Sequence, residues 1–176
     1  DEPTSLRMLG PAAASPAPPR RLGAVDAAST PARSTFELTA GMSDVDAYAF
    51  LYYAQYVKYN ERAASEAAGS PLVLSSVESM IFGRPARWGE NIKVVTFLCP
   101  PAACEEEQPG VVRLLHAWVA DSSEDCSKPD VCNTSVMSYS KPPGAALAGL
   151  DVPRPGHPLY RPLMACLREN RTPTPQ

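Results

Sequence analysis

Between residues 35 and 140 the spacing of apolar positions changes from two, to three-or-four, and back to two. In residues 35–40, Phe36, Leu38 and Ala40 alternate with Thr35, Glu37 and Thr39, which predicts a short strand with one buried face. Residues 41–46 (GMSDVD) break that period with turn-forming and capping side chains. A helical stripe then runs through Phe50, Tyr53 with Ala54, Val57, Glu61, Ala64 and Ala68, predicting a helix over about 47–68. Asp44 or Asp46 would cap its start, Arg62 and Glu66 would pair on its outer side, and Gly69 with Pro71 would stop it. Runs rich in Val, Leu and Ile follow at 72–82, 92–99, 111–120 and 133–140, and turn or loop segments separate them. A strand, a long helix and four more strands bury their apolar faces together as one antiparallel sheet around one helix, an α+β fold. No internal repeat interrupts this order.

Proline divides the chain around that pattern. Of 20 prolines, six lie in residues 1–34, six in 35–140 and eight in 141–176. Dense proline removes backbone donors and opposes both helix and sheet. The expected organisation is therefore an Ala/Pro-rich extended arm (1–34), a folded domain (35–140) and a Pro-rich C-terminal arm (141–176). With Lys+Arg 16 against Asp+Glu 19 the net charge is −3, and no basic stripe is present, which argues against nucleic-acid binding. No run approaches the ~18 apolar residues of a transmembrane segment. The first residue is not Met, and residues 1–34 resemble what stands beside a removed targeting peptide. The expected location is a plastid or mitochondrion, with export as the alternative.

The residues 43–63, SDVDAYAFLYYAQYVKYNERA, resemble the signature of hotdog-fold acyl-CoA thioesterases, closest to the 4-hydroxybenzoyl-CoA thioesterase-like branch. The family pattern is D-x-D-x-x-G-H/I-V-x-(N/Y)-x-x-Y-x-x-(Y/W), and Asp44, Asp46, Tyr56, Tyr59, Glu61 and Ala63 fit it. Residues 84–94 (RPARWGENIKV) resemble the family's p-a-x-x-G-D-x-I-x-V lead into its third strand. The resemblance covers residues 35–140 and implies a five-stranded hotdog domain that pairs sheet to sheet as a homodimer or hetero-oligomer. It implies hydrolysis of an acyl-CoA or acyl-carrier-protein thioester, with no metal or bound cofactor. In that chemistry Asp46 would be the base or nucleophile, and Glu61 a second candidate on the helix. The backbone of Ala49, Phe50 and Leu51 would stabilise the oxyanion at the helix N-terminus. Tyr52 and Tyr53 would line the substrate site. Where the family commonly has Gly this chain has Ala49, and Phe50, Tyr52 and Tyr53 add bulk that would narrow or fill the pocket. A second reading follows: a catalytically degenerate hotdog scaffold, tied into a large protein assembly through residues 1–34 and 141–176.

The remaining chemistry is thinner. His116 falls in a strand and His157 in a Pro/Gly segment, and no motif places a nucleophile beside either. Neither phosphate-cradling glycine pattern occurs. If residues 111–120 form one strand of about 33 Å, the loops bearing Cys99/Cys104 and Cys126/Cys132 lie at opposite ends of the sheet. A bridge or a four-cysteine zinc site between them then fails on distance. Pairing within each loop, Cys99–Cys104 and Cys126–Cys132, or reduced thiols throughout, are the options left. Asn133-Thr134-Ser135 and Asn170-Arg171-Thr172 match the glycosylation pattern.

Overall fold

Five strands form one antiparallel sheet: β1 Thr35–Thr39, β2 Val73–Phe82, β3 Asn91–Leu98, β4 Val111–Ala120 and β5 Asp130–Ser140. The computed structural model describes residues 35–100, 109–121, 129–145, 147 and 149–169. The strand order is β1-β3-β4-β5-β2, so β2 leaves the chain's own sequence order to close the far edge. Four strands stand within a residue of the predicted runs, and β5 begins at Asp130, three residues before the run expected at 133–140. The N-terminal arm, residues 1–34, lies outside the described residues.

The long helix is α1, Tyr53–Ala68, sixteen residues ending at Gly69 in the left-handed conformation (φ +62°). Glycine adopts that geometry without steric cost, and the Gly69 and Ser70 N–H groups close onto the carbonyls of Glu66 and Ser65. The α1 stripe of Tyr56, Asn60, Ala63, Ala64, Ala67 and Ala68 is buried. It lies on the sheet face that carries Ile92, Val94, Leu114, Trp118 and Met137. Small alanines bring the helix axis close to the strands.

One polar seam crosses this interface. Asn60 accepts from Trp118 Nε1 (2.7 Å) and donates to Ser135 Oγ (3.0 Å). Beside it His116 is fully buried, between Thr96 Oγ1 (3.1 Å from Nδ1) and the Tyr139 hydroxyl (2.9 Å from Nε2). The Tyr139 hydroxyl also lies 3.3 Å from Met137 Sδ. Asn133 is also buried in β5, which rules out its glycosylation in the folded chain.

Two expectations are corrected. The helix starts at Tyr53, not near residue 47, because Ala49 stands at φ +63°, outside right-handed helical geometry. The C-terminal segment is not an extended arm throughout. It contains a second helix, α2, Tyr160–Glu169. Leu159, Leu163, Cys166 and Leu167 recur at helical spacing and pack on Val95, Phe97, Leu115, Ala117 and Val136, the sheet face opposite α1. Pro162 stands in the first turn of α2, where no helical N–H is needed.

Candidate functional site

The segment before α1 is a small hairpin. Tyr52 N–H donates to Asp44 O (2.9 Å), Asp46 N–H to Phe50 O (2.8 Å), and Ala49 N–H closes the turn onto Asp46 O (3.0 Å). The Asp46 carboxylate folds back into this turn, and its Oδ1 accepts from Tyr48 N–H (2.8 Å) and Phe50 N–H (3.1 Å). Both of these bonds fall on one oxygen, Oδ1. Asp46 is half-buried.

Three contacts fix the hairpin to the body. Buried Asp44 accepts from Gly41 N–H (3.2 Å) and the Tyr59 hydroxyl (2.9 Å) through Oδ2. Leu51 N–H donates to Ala86 O (2.9 Å), and Ala86 N–H donates to the buried Tyr56 hydroxyl (2.8 Å). Trp88 N–H donates to Ala49 O (2.9 Å), with the Arg87 guanidinium 5.9 Å from the Phe50 ring centre. Burial raises the pKa of the Tyr56 hydroxyl, and burial with the Asp44 carboxylate raises that of Tyr59, so both remain neutral phenols. Arg84 anchors the 84–90 segment through Asp130 (Nε to Oδ1, 2.9 Å) and Glu90, and these carboxylates push its pKa up.

The predicted site residues divide between two places. Asp46, Ala49, Phe50, Leu51 and Tyr52 share the hairpin, and Tyr53 begins the helix. Tyr52 and Tyr53 are 52% and 60% exposed, so neither fills a pocket beside Asp46. Tyr53 rests on Phe82, which in turn packs edge-on against Tyr56 (5.1 Å). Glu61 stands apart. It lies two turns into α1, about 12 Å along the axis from Tyr53 at ~1.5 Å per residue, and accepts from Leu74 N–H (3.0 Å).

The oxyanion expectation is also corrected. The N–H groups of Ala49, Phe50 and Leu51 are all consumed, by Asp46 O, Asp46 Oδ1 and Ala86 O. The hairpin satisfies its own donors because it is not helical. The donors left over belong to the first turn of α1, at Tyr53 and Ala54, where Tyr52 supplies no side-chain cap. Tyr56 and Tyr59 fit the family pattern, but their supporting contacts, with Ala86 N–H and with Asp44, were not foreseen. The Tyr-x-x-Tyr spacing was visible, but its partners lie far along the chain.

Cys104 and Cys126 lie outside the described residues, so both predicted bridges do too. Cys132 is buried beneath the hairpin's anchor segment, and burial pushes its thiol up to about 12. Among the described residues no cluster of three or more His, Cys, Asp or Glu side chains could hold a metal ion. No described helix is long and apolar enough to cross a membrane.

No family model matches the chain, and no curated protein matches it. Solved structures do. An acyl-CoA hydrolase from Staphylococcus aureus, in complex with butyryl coenzyme A, coenzyme A and coenzyme A disulfide, is 12% identical. The likeness covers 81% of this chain and 88% of that one, with a TM-score of 0.55. A threonine-to-alanine variant of the same hydrolase is 14% identical over 81% and 90%, with a TM-score of 0.54. An asparagine-to-alanine variant with coenzyme A gives 12%, 81%, 87% and 0.55. Five antiparallel strands in the order β1-β3-β4-β5-β2, one long helix laid on their face, and these likenesses together give the chain the hotdog fold of the acyl-CoA thioesterases.

Proposed function

We propose that the protein hydrolyses acyl thioesters of coenzyme A or of an acyl-carrier protein, with Asp46 as base or nucleophile. The observation that carries this reading is the Asp46 hairpin. It holds one carboxylate oxygen by two backbone N–H groups, just ahead of a helix N-terminus with no side-chain cap. A thioester carbonyl set against the Tyr53 and Ala54 N–H groups would gain stabilisation for its developing oxyanion from those donors and from the helix dipole. Asp46 Oδ2 would take a proton from a water attacking that carbon, or attack it directly. With water as the nucleophile, the tetrahedral intermediate collapses to the carboxylic acid by expelling the thiolate, which takes up the proton from Asp46; with Asp46 as the nucleophile, loss of the thiolate leaves an acyl–Asp46 anhydride that water then hydrolyses. The exposure of Tyr52 and Tyr53 supports access.

A second copy, or a related chain, would lie along β2. Among the described residues that strand is at the sheet edge, with exposed Val73, Val77 and Phe82, and its single charge, Glu78, is turned in to Arg113 and Ser138. The scaffold reading draws on one observation, the consumed N–H groups of residues 49–51. One comparison separates the two. Wild type and Asp46→Asn are assayed against a panel of aliphatic and aromatic acyl thioesters. Turnover that falls about a hundredfold or more in the variant supports catalysis by Asp46. Equal rates, or none in either protein, sink it and leave the scaffold.

A further inference from the structure

Glu61 was one of two carboxylates that the sequence offers for catalysis, and its surroundings give it other work. Leu74 faces Tyr139 of β5 across the sheet, yet its N–H goes to Glu61 Oε1 on α1 (3.0 Å). One helical turn further on, Ser65 Oγ accepts from Leu72 N–H (2.9 Å) and reaches Leu72 O (3.4 Å). Glu61 and Ser65 are thus an i,i+4 pair on α1 that meets the backbone of alternate residues at the start of β2. They do for this stretch what a neighbouring strand would do. The strand they hold is an edge strand of the sheet among the described residues, and its far end carries Phe82 against Tyr53 and Tyr56.

We propose that Glu61 is a positioning residue that fixes the start of edge strand β2 to α1, and that it takes no part in proton transfer. An acceptor oxygen at that position is what the contact needs, and a negative charge is not. Gln supplies the acceptor and Ala does not. The measurement pairs amide hydrogen exchange at Leu74 with kcat, KM and the pH–rate profile, in Glu61→Gln, Glu61→Ala and wild type. In Glu61→Gln, Leu74 protection, kcat and the pH profile match wild type. In Glu61→Ala, Leu74 exchanges faster by about tenfold, the worth of one lost hydrogen bond. A Glu61→Gln protein that keeps Leu74 protection but loses kcat overturns the proposal, and so does a Glu61→Ala protein with Leu74 as protected as in wild type. The kinetic arm rests on the thioesterase reading, whereas the exchange arm does not. If wild type turns over no thioester, that reading fails and Leu74 exchange still decides the role of Glu61.

Discussion

Ala49 holds φ +63° with an exposed side chain, in a turn where Trp88 N–H binds its carbonyl and its own N–H binds Asp46. For an L-residue with a Cβ that conformation costs roughly 1–2 kcal/mol. The hotdog pattern commonly has Gly here, and the geometry shows why: the turn demands a left-handed residue whichever side chain occupies it. Ala49→Gly relieves the strain and loses about 0.5–1 kcal/mol through the looser unfolded chain. The expected outcome is a stability, read from urea titration, that is unchanged or raised by up to about 1 kcal/mol. A clear loss of stability would show that the Ala49 methyl makes a contact of value. At this scale Asp46 was singled out by its resemblance to the hotdog helix-entry motif, and its place before the helix was legible. That its Oδ1 is spent on two N–H groups was not, because the turn that brings them back depends on one backbone angle that composition does not encode.

At the scale of elements, the strands were plain in the sequence because alternation and β-branching point to the same state. The two helices were harder, for opposite reasons. The helical stripe runs upstream through Phe50, which lies in a hairpin rather than in a helix, so periodicity placed the start of α1 too early. Proline density hid α2, since Pro153, Pro155 and Pro158 precede a helix whose Pro162 sits where proline is tolerated. Leu159, Leu163, Cys166 and Leu167 did carry the helical period, in a segment whose composition argued against any element. The packing of α2 makes a direct prediction. Leu163 is fully buried against the sheet, so Leu163→Ala costs about 3 kcal/mol, within the usual range for a core leucine. Ala165, on the exposed side of the same helix, tolerates Ser with little change. Denaturant titration of both variants checks this, and equal midpoints would mean that α2 does not stay docked in solution.

The whole molecule has a sheet covered on both faces, by α1 over a polar seam and by α2 over an apolar one. The seam makes stability depend on pH. Burial lowers the pKa of His116 from 6.5 to about 3, so the folded chain keeps it neutral while the unfolded chain protonates it below about 6.5. The unfolded state then binds more protons between about 6.5 and 3, and stability falls as pH drops through that window. The slope approaches about 1.4 kcal/mol per pH unit. It is absent above neutrality. Urea midpoints at pH 7.5 and 5 test this, with His116→Asn expected to flatten the difference whatever its own cost. None of the seam was legible beforehand, because Asn60 meets Ser135 across 75 residues and no local period reports such a meeting. The placing of β2 at the far edge has a consequence in time. Ser75 reaches its partner Ser140 only 65 residues later in the chain. At roughly 5–20 residues per second of synthesis, β2 waits several seconds for β5. During that interval its Val73, Val77 and Phe82 have no strand beside them, and the outer sheet face stays bare until α2 is made. A nascent chain of this protein is therefore most in need of a chaperone after its helix is complete and before its last strand is.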